Sequence, residues 1–82
     1  MRNRGSVHDD LLAYRRHFGD RLRLLRHRAG LTQQALAERA GLDKQAVSLI
    51  ENSHADPRLG TLWRLARGLD LTVSELTADE RT

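Results

Sequence analysis

The chain has 82 residues, 39% of them hydrophobic and 30% charged, with a formal charge of +3 and no cysteine. That length makes one small domain with a modest core and little room for a deep substrate cavity. The lack of thiols excludes disulfides, thiolate zinc sites and cysteine nucleophiles. No apolar run approaches the roughly 18 residues of a membrane span. The N-terminal arginines have no hydrophobic region behind them, so no signal peptide is expected and the cytoplasm is the default location.

Charge is unevenly spread. Residues 1–30 hold eight arginines against three acids, a local +5, and residues 31–82 hold six basic residues against eight acids, a local −2. Thirteen of the fourteen cations are arginine, whose planar fork suits phosphate better than a lysine point charge does. A genome biased toward Arg, Leu and Ala codons gives the same preference, and a basic balance favours a polyanion partner only weakly.

One proline, 15 leucines, 9 alanines and the absence of period-two alternation predict an all-α chain without a sheet. Residues 1–8 read as a flexible tail. His8-Asp9-Asp10 suits the positive end of a helix dipole. From there Leu11, Phe18, Leu22, Leu25 and Ala29 recur at helical spacing, Gly19 is expected to weaken or bend the helix, and Gly30 suits its C′ position. Thr32 is a plausible N-cap for a second helix over 33–40, with Leu36, Ala37 and Ala40 inward. Asp43 would cap a third over 44–52, with Leu42 and Val47 spaced as a hydrophobic staple. The link Gly41-Leu42-Asp43 is a short turn containing glycine, as in a helix-turn-helix. Asp56 before Pro57 reads as the cap of a fourth helix with proline at N1, its buried stripe formed by Leu59, Leu62, Leu65, Ala66 and Leu69. Thr72-Val73-Ser74-Glu75 is a capping box opening a fifth. Residues 9–77 form the domain, and 78–82 read as a C-terminal tail.

Within residues 33–52, Ala37 and Gly41 are small where two helices must approach closely, and Leu36, Ala40, Leu42, Val47 and Ile50 face a core. The segment Gly30-Leu31-Thr32-Gln33-Gln34-Ala35-Leu36-Ala37-Glu38-Arg39-Ala40-Gly41-Leu42 resembles the XRE family, the lambda-repressor and Cro-like helix-turn-helix proteins. The resemblance continues through Val47-Ser48-Leu49-Ile50-Glu51-Asn52, Pro57, Thr61-Leu62, Leu65-Ala66, Leu69 and Val73-Ser74-Glu75-Leu76, covering roughly residues 18–77. It implies a compact five-helix bundle that binds operator DNA, usually as a dimer.

A helical wheel of the third helix leads to the same surface. With Val47 and Ile50 inward, Gln45 and Asn52 point outward, flanked by Ser48 and Leu49, and Lys44 lies near the helix start. Glu51 falls on the core-side flank. Such a face suits the major groove. Gln45 can pair with adenine, Lys44 can reach guanine or a phosphate, Ser48 can donate or accept, and Leu49 can meet a thymine methyl. A merely solvated face is the bland alternative. Thr32 and Gln33 start a helix whose free N–H groups attract phosphate, and the resemblance implies that the glutamine helps hold that helix start on the backbone. Asn52, Ser53, His54 and Arg58 are expected at the next phosphates, where contacts set register without reading sequence.

Three positions depart from the family pattern. Ser53 stands where glycine is common in a left-handed turn, Arg58 where serine often caps the fourth helix, and Gly68 sits inside that helix at a cost of up to about 1 kcal/mol. His8, His17, His27 and His54 lack metal-ligand spacing, and Asp9 and Asp10 point to different faces. No catalytic constellation, metal or cofactor is expected. Trp63 lies one step off the buried stripe and, with Leu59, Leu71 and Val73, could form a contact between two copies, or simply cover the core rim. The sequence thus reads as a non-enzymatic regulator that binds a palindromic operator in double-stranded DNA as a homodimer. It suits an autoregulated controller such as those accompanying restriction-modification systems. The alternative is a protein-interaction module, such as an antitoxin, using the same bundle.

Overall fold

The computed structural model describes residues 4–79, with side chains from residue 7 onward. Its elements are α1 (Arg4–Arg28), α2 (Gln33–Ala40), α3 (Lys44–Glu51), α4 (Leu59–Gly68) and α5 (Val73–Leu76). No strand occurs among the described residues, and no described helix is long and apolar enough to cross a membrane. The architecture is the expected five-helix, all-α bundle.

Helix α1 begins at Arg4, ahead of the start expected near residues 8–10. Nothing between Ser6 and Phe18 breaks it, because that stretch contains neither glycine nor proline. Residues 1–3 and 80–82 of the expected tails lie outside the described residues, and Ala78 and Asp79 follow α5 without regular structure. At about 1.5 Å per residue, α1 is a rod of about 37 Å, the longest element of a molecule measuring 42 × 24 × 20 Å.

The core is Phe18 and Leu22 of α1, Leu36, Ala37 and Ala40 of α2, Val47 and Ile50 of α3, Leu65 and Ala66 of α4, and Leu76 of α5. Leu25, Leu31, Leu42, Leu62, Leu69 and Val73 pack half-buried around it. Three members of the expected stripes stand outside: Leu11 is 43% exposed, Leu59 is 75% exposed and Ala29 is exposed beyond the end of α1. Leu59 opens α4, so it sits at the tip of the helix rather than in the span that packs on α2.

The glycines within helices are contact points. A Cβ at Gly19 would lie 2.7 Å from the Glu51 carbonyl oxygen and 2.8 Å from that of Ile50, so α1 crosses the end of α3 at a distance only glycine permits. A Cβ at Gly68 would lie 3.1 Å from Leu36 Cδ1 and 3.3 Å from Ala40 Cβ, where α4 meets α2. Gly19 therefore marks a close crossing within an unbroken helix, and the propensity cost of Gly68 is offset by close packing. Gly41 is needed for a different reason, its left-handed φ of 69° at the end of α2.

The first four helices end in the same hydrogen-bonded turn. A residue one or two positions beyond the helix adopts positive φ, and the next N–H returns to a carbonyl of the last turn. The bonds are Leu31 N to Arg26 O (3.1 Å), Leu42 N to Ala37 O (2.8 Å), His54 N to Leu49 O (2.8 Å) and Leu71 N to Ala66 O (2.8 Å). Gly30 and Gly41 supply the left-handed residue twice, while Ser53 (φ 64°) and Asp70 (φ 58°) adopt it with a side chain. The capping box of α5 is closed: Thr72 Oγ1 accepts from Glu75 N–H at 3.0 Å, and Glu75 Oε1 accepts from Thr72 N–H at 2.9 Å. Arg21 of α1 donates to the Leu76 and Glu75 carbonyls at 3.0 and 2.7 Å, fixing α5 against the first helix.

Candidate nucleic-acid interface

Helices α2 and α3 with the turn 41–43 form a helix-turn-helix. Thr32 caps α2 in an extended conformation, and its hydroxyl accepts the Ala35 N–H at 3.0 Å. The N–H groups of Gln33 and Gln34 have no intrahelical carbonyl to reach. They leave a positive helix end at the surface. Asp43 takes the N-cap position of α3, but its carboxylate makes no cap hydrogen bond. The start of α3 is instead fixed by Leu42 packing on the core and by the Asp43 carbonyl, which accepts from Ala46 and Val47.

Burial divides α3 as the wheel requires. Val47 and Ile50 are enclosed, Lys44 and Gln45 are exposed, Ser48 is half-buried, and Leu49 is 40% exposed. Asn52 and His54 are exposed just beyond the helix, with Ser53 half-buried between them. The expected cap at Asp56 is not formed. Arg58, two residues beyond Asp56, is extended (ψ 162°), so α4 starts only at Leu59. Arg58 occupies the cap position without a side-chain cap bond. Pro57 consequently precedes the helix rather than opening it.

The sequence reading missed the polar centre beneath this surface. Glu51 is 1% exposed. Arg26 Nε donates to its Oε2 at 2.6 Å, and Arg26 Nη2 to its Oε1 at 3.0 Å. Arg26 Nη1 also donates to the Leu31 carbonyl at 2.9 Å, so one guanidinium joins α1, the start of the α1–α2 loop and α3. Gln33 Nε2 donates to Glu51 Oε1 at 3.1 Å. The side-chain nitrogen of Gln33 is thus turned inward, and what its position offers outward is the start of α2. Burial alone would push the Glu51 carboxyl up. Hydrogen bonds from Arg26 and Gln33 and the charges of Arg26 and Arg23 outweigh it and hold the carboxyl below its ordinary range. Two signals pointed here: Arg26 continues the Phe18–Leu22 stripe at i+4, and Glu51 follows Val47 and Ile50 on the inner flank.

The last turn of α3 is fully satisfied. Asn52 N–H and Asn52 Nδ2 both donate to the Ser48 carbonyl, His54 N–H to Leu49, Ser53 N–H to Ile50, and Arg23 Nη2 to Glu51 (3.2 Å). Arg23, a cation at the negative end of the helix, also suits its dipole. On α4, Trp63 is 57% exposed and Leu59 is close by in sequence at the helix start. The Arg67 guanidinium lies 5.8 Å from the Trp63 ring centre, and Leu71 and Val73 are half-buried.

The fold and this outward helix define a helix-turn-helix DNA-binding domain. A family described as "Helix-turn-helix domain" matches residues 17–78, and the chain belongs to it as an XRE-like member. Among solved structures, the chain is 39% identical to the restriction-modification controller protein C.AhdI from Aeromonas hydrophila. That match has a TM-score of 0.78 and covers 82% of this chain and 97% of that one. A transcriptional regulator of the HTH_3 family from Vibrio cholerae is 29% identical at TM-score 0.78, covering 84% of this chain and 39% of that one. A hypothetical transcription factor, NHTF, from Neisseria is 27% identical at TM-score 0.76, covering 82% and 77%. No curated protein sequence shows a significant match. The class is that of DNA-binding transcriptional regulators.

Proposed function

We propose that this protein binds a roughly palindromic operator as a homodimer in the cytoplasm and acts as an autoregulated controller. In this reading α3 of each protomer enters the major groove, and Lys44, Gln45, Ser48 and Leu49 meet base edges. Thr32 and Gln33 bring the start of α2 to one phosphate, Gln33 through its main-chain N–H because its side chain is held by Glu51. Asn52, Ser53, His54 and Arg58 meet the phosphates that follow. The observation that carries the reading is the division of α3, whose one acid is buried and neutralised while its short polar side chains face out. Similarity to a restriction-modification controller over almost that protein's whole length favours the controller form.

The dimer contact is assigned to Leu59, Trp63, Leu71 and Val73, because Leu59 and Trp63 are large apolar side chains exposed on one helix. The same surface would also serve a different protein partner, the role of an antitoxin. Salt separates the two readings: binding through several phosphates weakens steeply between low and moderate salt, whereas an apolar protein contact hardly changes. Selection from random double-stranded oligonucleotides tests the main reading. An inverted repeat with half-sites about 34 Å apart is expected. Recovery of no common sequence overturns it.

A further inference from the structure

Asn52 and Ser53 stand where a phosphate is expected, but their hydrogen-bond donors are already engaged. Asn52 N–H donates to the Ser48 carbonyl at 3.0 Å, and Asn52 Nδ2 donates to the same carbonyl at 2.9 Å and to Ser48 Oγ at 3.3 Å. Ser53 N–H donates to the Ile50 carbonyl at 3.1 Å, and the Ser53 hydroxyl to the Arg15 carbonyl at 3.4 Å. His54 N–H donates to the Leu49 carbonyl at 2.8 Å, which leaves that residue its imidazole alone. A phosphate oxygen accepts and does not donate, so it needs a donor that the fold has not used.

Arg23 of α1 reaches the same place with donors left over. Its Nη2 donates to the Glu51 carbonyl at 3.2 Å and to Asn52 Oδ1 at 3.3 Å, and its Nε lies 3.5 Å from Glu51 Oε1. Of the five N–H groups of a guanidinium, the two on Nη1 meet no acceptor among the described residues, and the side chain is 41% exposed. Its charge is also left over. Arg26 occupies both Glu51 oxygens at 2.6 and 3.0 Å, so two guanidiniums share one carboxylate and one positive charge remains uncompensated.

We infer that Arg23 is the donor for the DNA phosphate at the end of α3, with Nη1 taking the phosphate while Asn52 Oδ1 and the Glu51 carbonyl hold Nη2. The inference rests on the major-groove reading above and names the donor at one of its backbone contacts. It adds the first helix to a surface otherwise assigned to α2, α3 and the start of α4. The guanidinium is held before DNA arrives, so little side-chain freedom is lost on binding. A phosphate contact sets register without reading sequence, so its loss lowers affinity for every sequence alike.

The test uses the full chain, the operator recovered by selection, and duplexes in which one phosphate at a time is replaced by an uncharged methylphosphonate. All variants are measured at a temperature where circular dichroism shows them folded. Arg23→Met should weaken binding about tenfold per protomer, the lower end for a hydrogen bond to a charged group. It should reduce the salt slope by about 0.9 per protomer and leave the base preferences as they are. The wild type should lose affinity at one methylphosphonate position in each half-site to which Arg23→Met is indifferent. Arg23→Lys keeps the charge without the fork and should retain the slope. Asn52→Ala removes no free donor and should retain both the slope and the sensitivity at that position. If Arg23→Met keeps the wild-type slope and the full methylphosphonate pattern, Arg23 holds no phosphate, although the groove reading stands. If Asn52→Ala erases that position instead, the amide gives up its bonds to Ser48 on binding and the assignment to Arg23 is wrong. If the wild type selects no sequence, the groove reading and the role of Arg23 fall together.

Discussion

Glu51→Gln should be the most damaging single-atom change in the domain. The side chain is fully enclosed, with Arg26 donating to both of its oxygens and Gln33 to one of them. A glutamine has one oxygen and one NH2 group. Whichever way the amide turns, its N–H faces an N–H of Arg26, and the nearly buried guanidinium loses its counter-charge. Removing one partner of such a pair costs about 3–5 kcal/mol, against a total of about 4–12 kcal/mol for a domain of this length. Urea unfolding followed by far-ultraviolet circular dichroism measures it, and a midpoint lowered by more than 1 M is expected at the slopes usual for small domains. An Arg26→Met/Glu51→Leu double variant should recover most of the loss, because it removes both charges together. The pH dependence carries the same signature. The folded carboxyl is held below its unfolded value of about 4.3. Its contribution is therefore complete above that value and disappears as pH falls through the lower, folded one. Wild-type stability should drop at acid pH by more than that of the Gln variant. A Gln variant within 1 kcal/mol of wild type at neutral pH would refute the closed pair.

Gly19→Ala should destabilise by about 1–3 kcal/mol despite improving helix propensity, since the new methyl meets the carbonyls of Ile50 and Glu51; thermal melting checks the sign, and a gain in stability would mean that the helices separate freely there. Ser53→Gly should stabilise by about 1 kcal/mol by relieving a left-handed φ of 64°, measured by the same melt, and a loss would show that the serine side chain matters more than the strain. Gln45→Ala should cost about 1–3 kcal/mol on the selected operator and relax preference at one base pair, read by fluorescence anisotropy against single-base variants; unchanged affinity and preference would remove Gln45 from the reading face. Trp63→Ala should shift the sedimentation distribution toward monomer, and an unchanged dimer would move the contact elsewhere.

What could be read from the sequence was what local periodicity and capping chemistry encode. The inner residues of α2 and α3, the outward face of α3, the glycine ends of α1 and α2 and the capping box of α5 all follow from spacing within a few residues. Contacts between distant segments were not readable in the same way. Gly19 and Gly68 look like costs when only their own helices are considered, and become necessary once α3 and α2 arrive against them. Arg26 and Glu51 each sit at a position that a helical wheel turns inward, but only the crossing of α1 over α3 joins them. The expected cap at Asp56 failed for a local reason, because Arg58 is extended and the helix opens only after it. The reading face itself was visible as exposed polar residues, but the contact of Arg23 with Asn52 at its edge joins residues 29 apart in the chain.

The length of α3 makes these hidden contacts decisive for reading DNA. Eight residues span about 12 Å, and an isolated helix of that length does not persist in water. Its existence and its direction are both set by what lies beneath it. Leu42, Val47 and Ile50 fix the inner face, but apolar packing alone tolerates rotation and sliding of such a short rod. The polar contacts do not. Arg26 and Gln33 hold Glu51 at one end, Arg23 takes the final carbonyl, and the contact at Gly19 sets how closely α1 can press. These interactions join the start of α2, which is proposed to meet the phosphate, to the helix proposed to meet the bases. The distance between those two contacts is thereby built into the folded domain before DNA arrives, and the ordering cost is met in folding rather than in binding. A substitution in this polar centre should consequently disturb operator discrimination more than an apolar core substitution of equal thermodynamic cost. Comparing Glu51→Gln with an α4 variant such as Leu65→Ala, at a temperature where both remain folded, separates the two effects: equal loss of discrimination would make the polar centre a matter of stability alone.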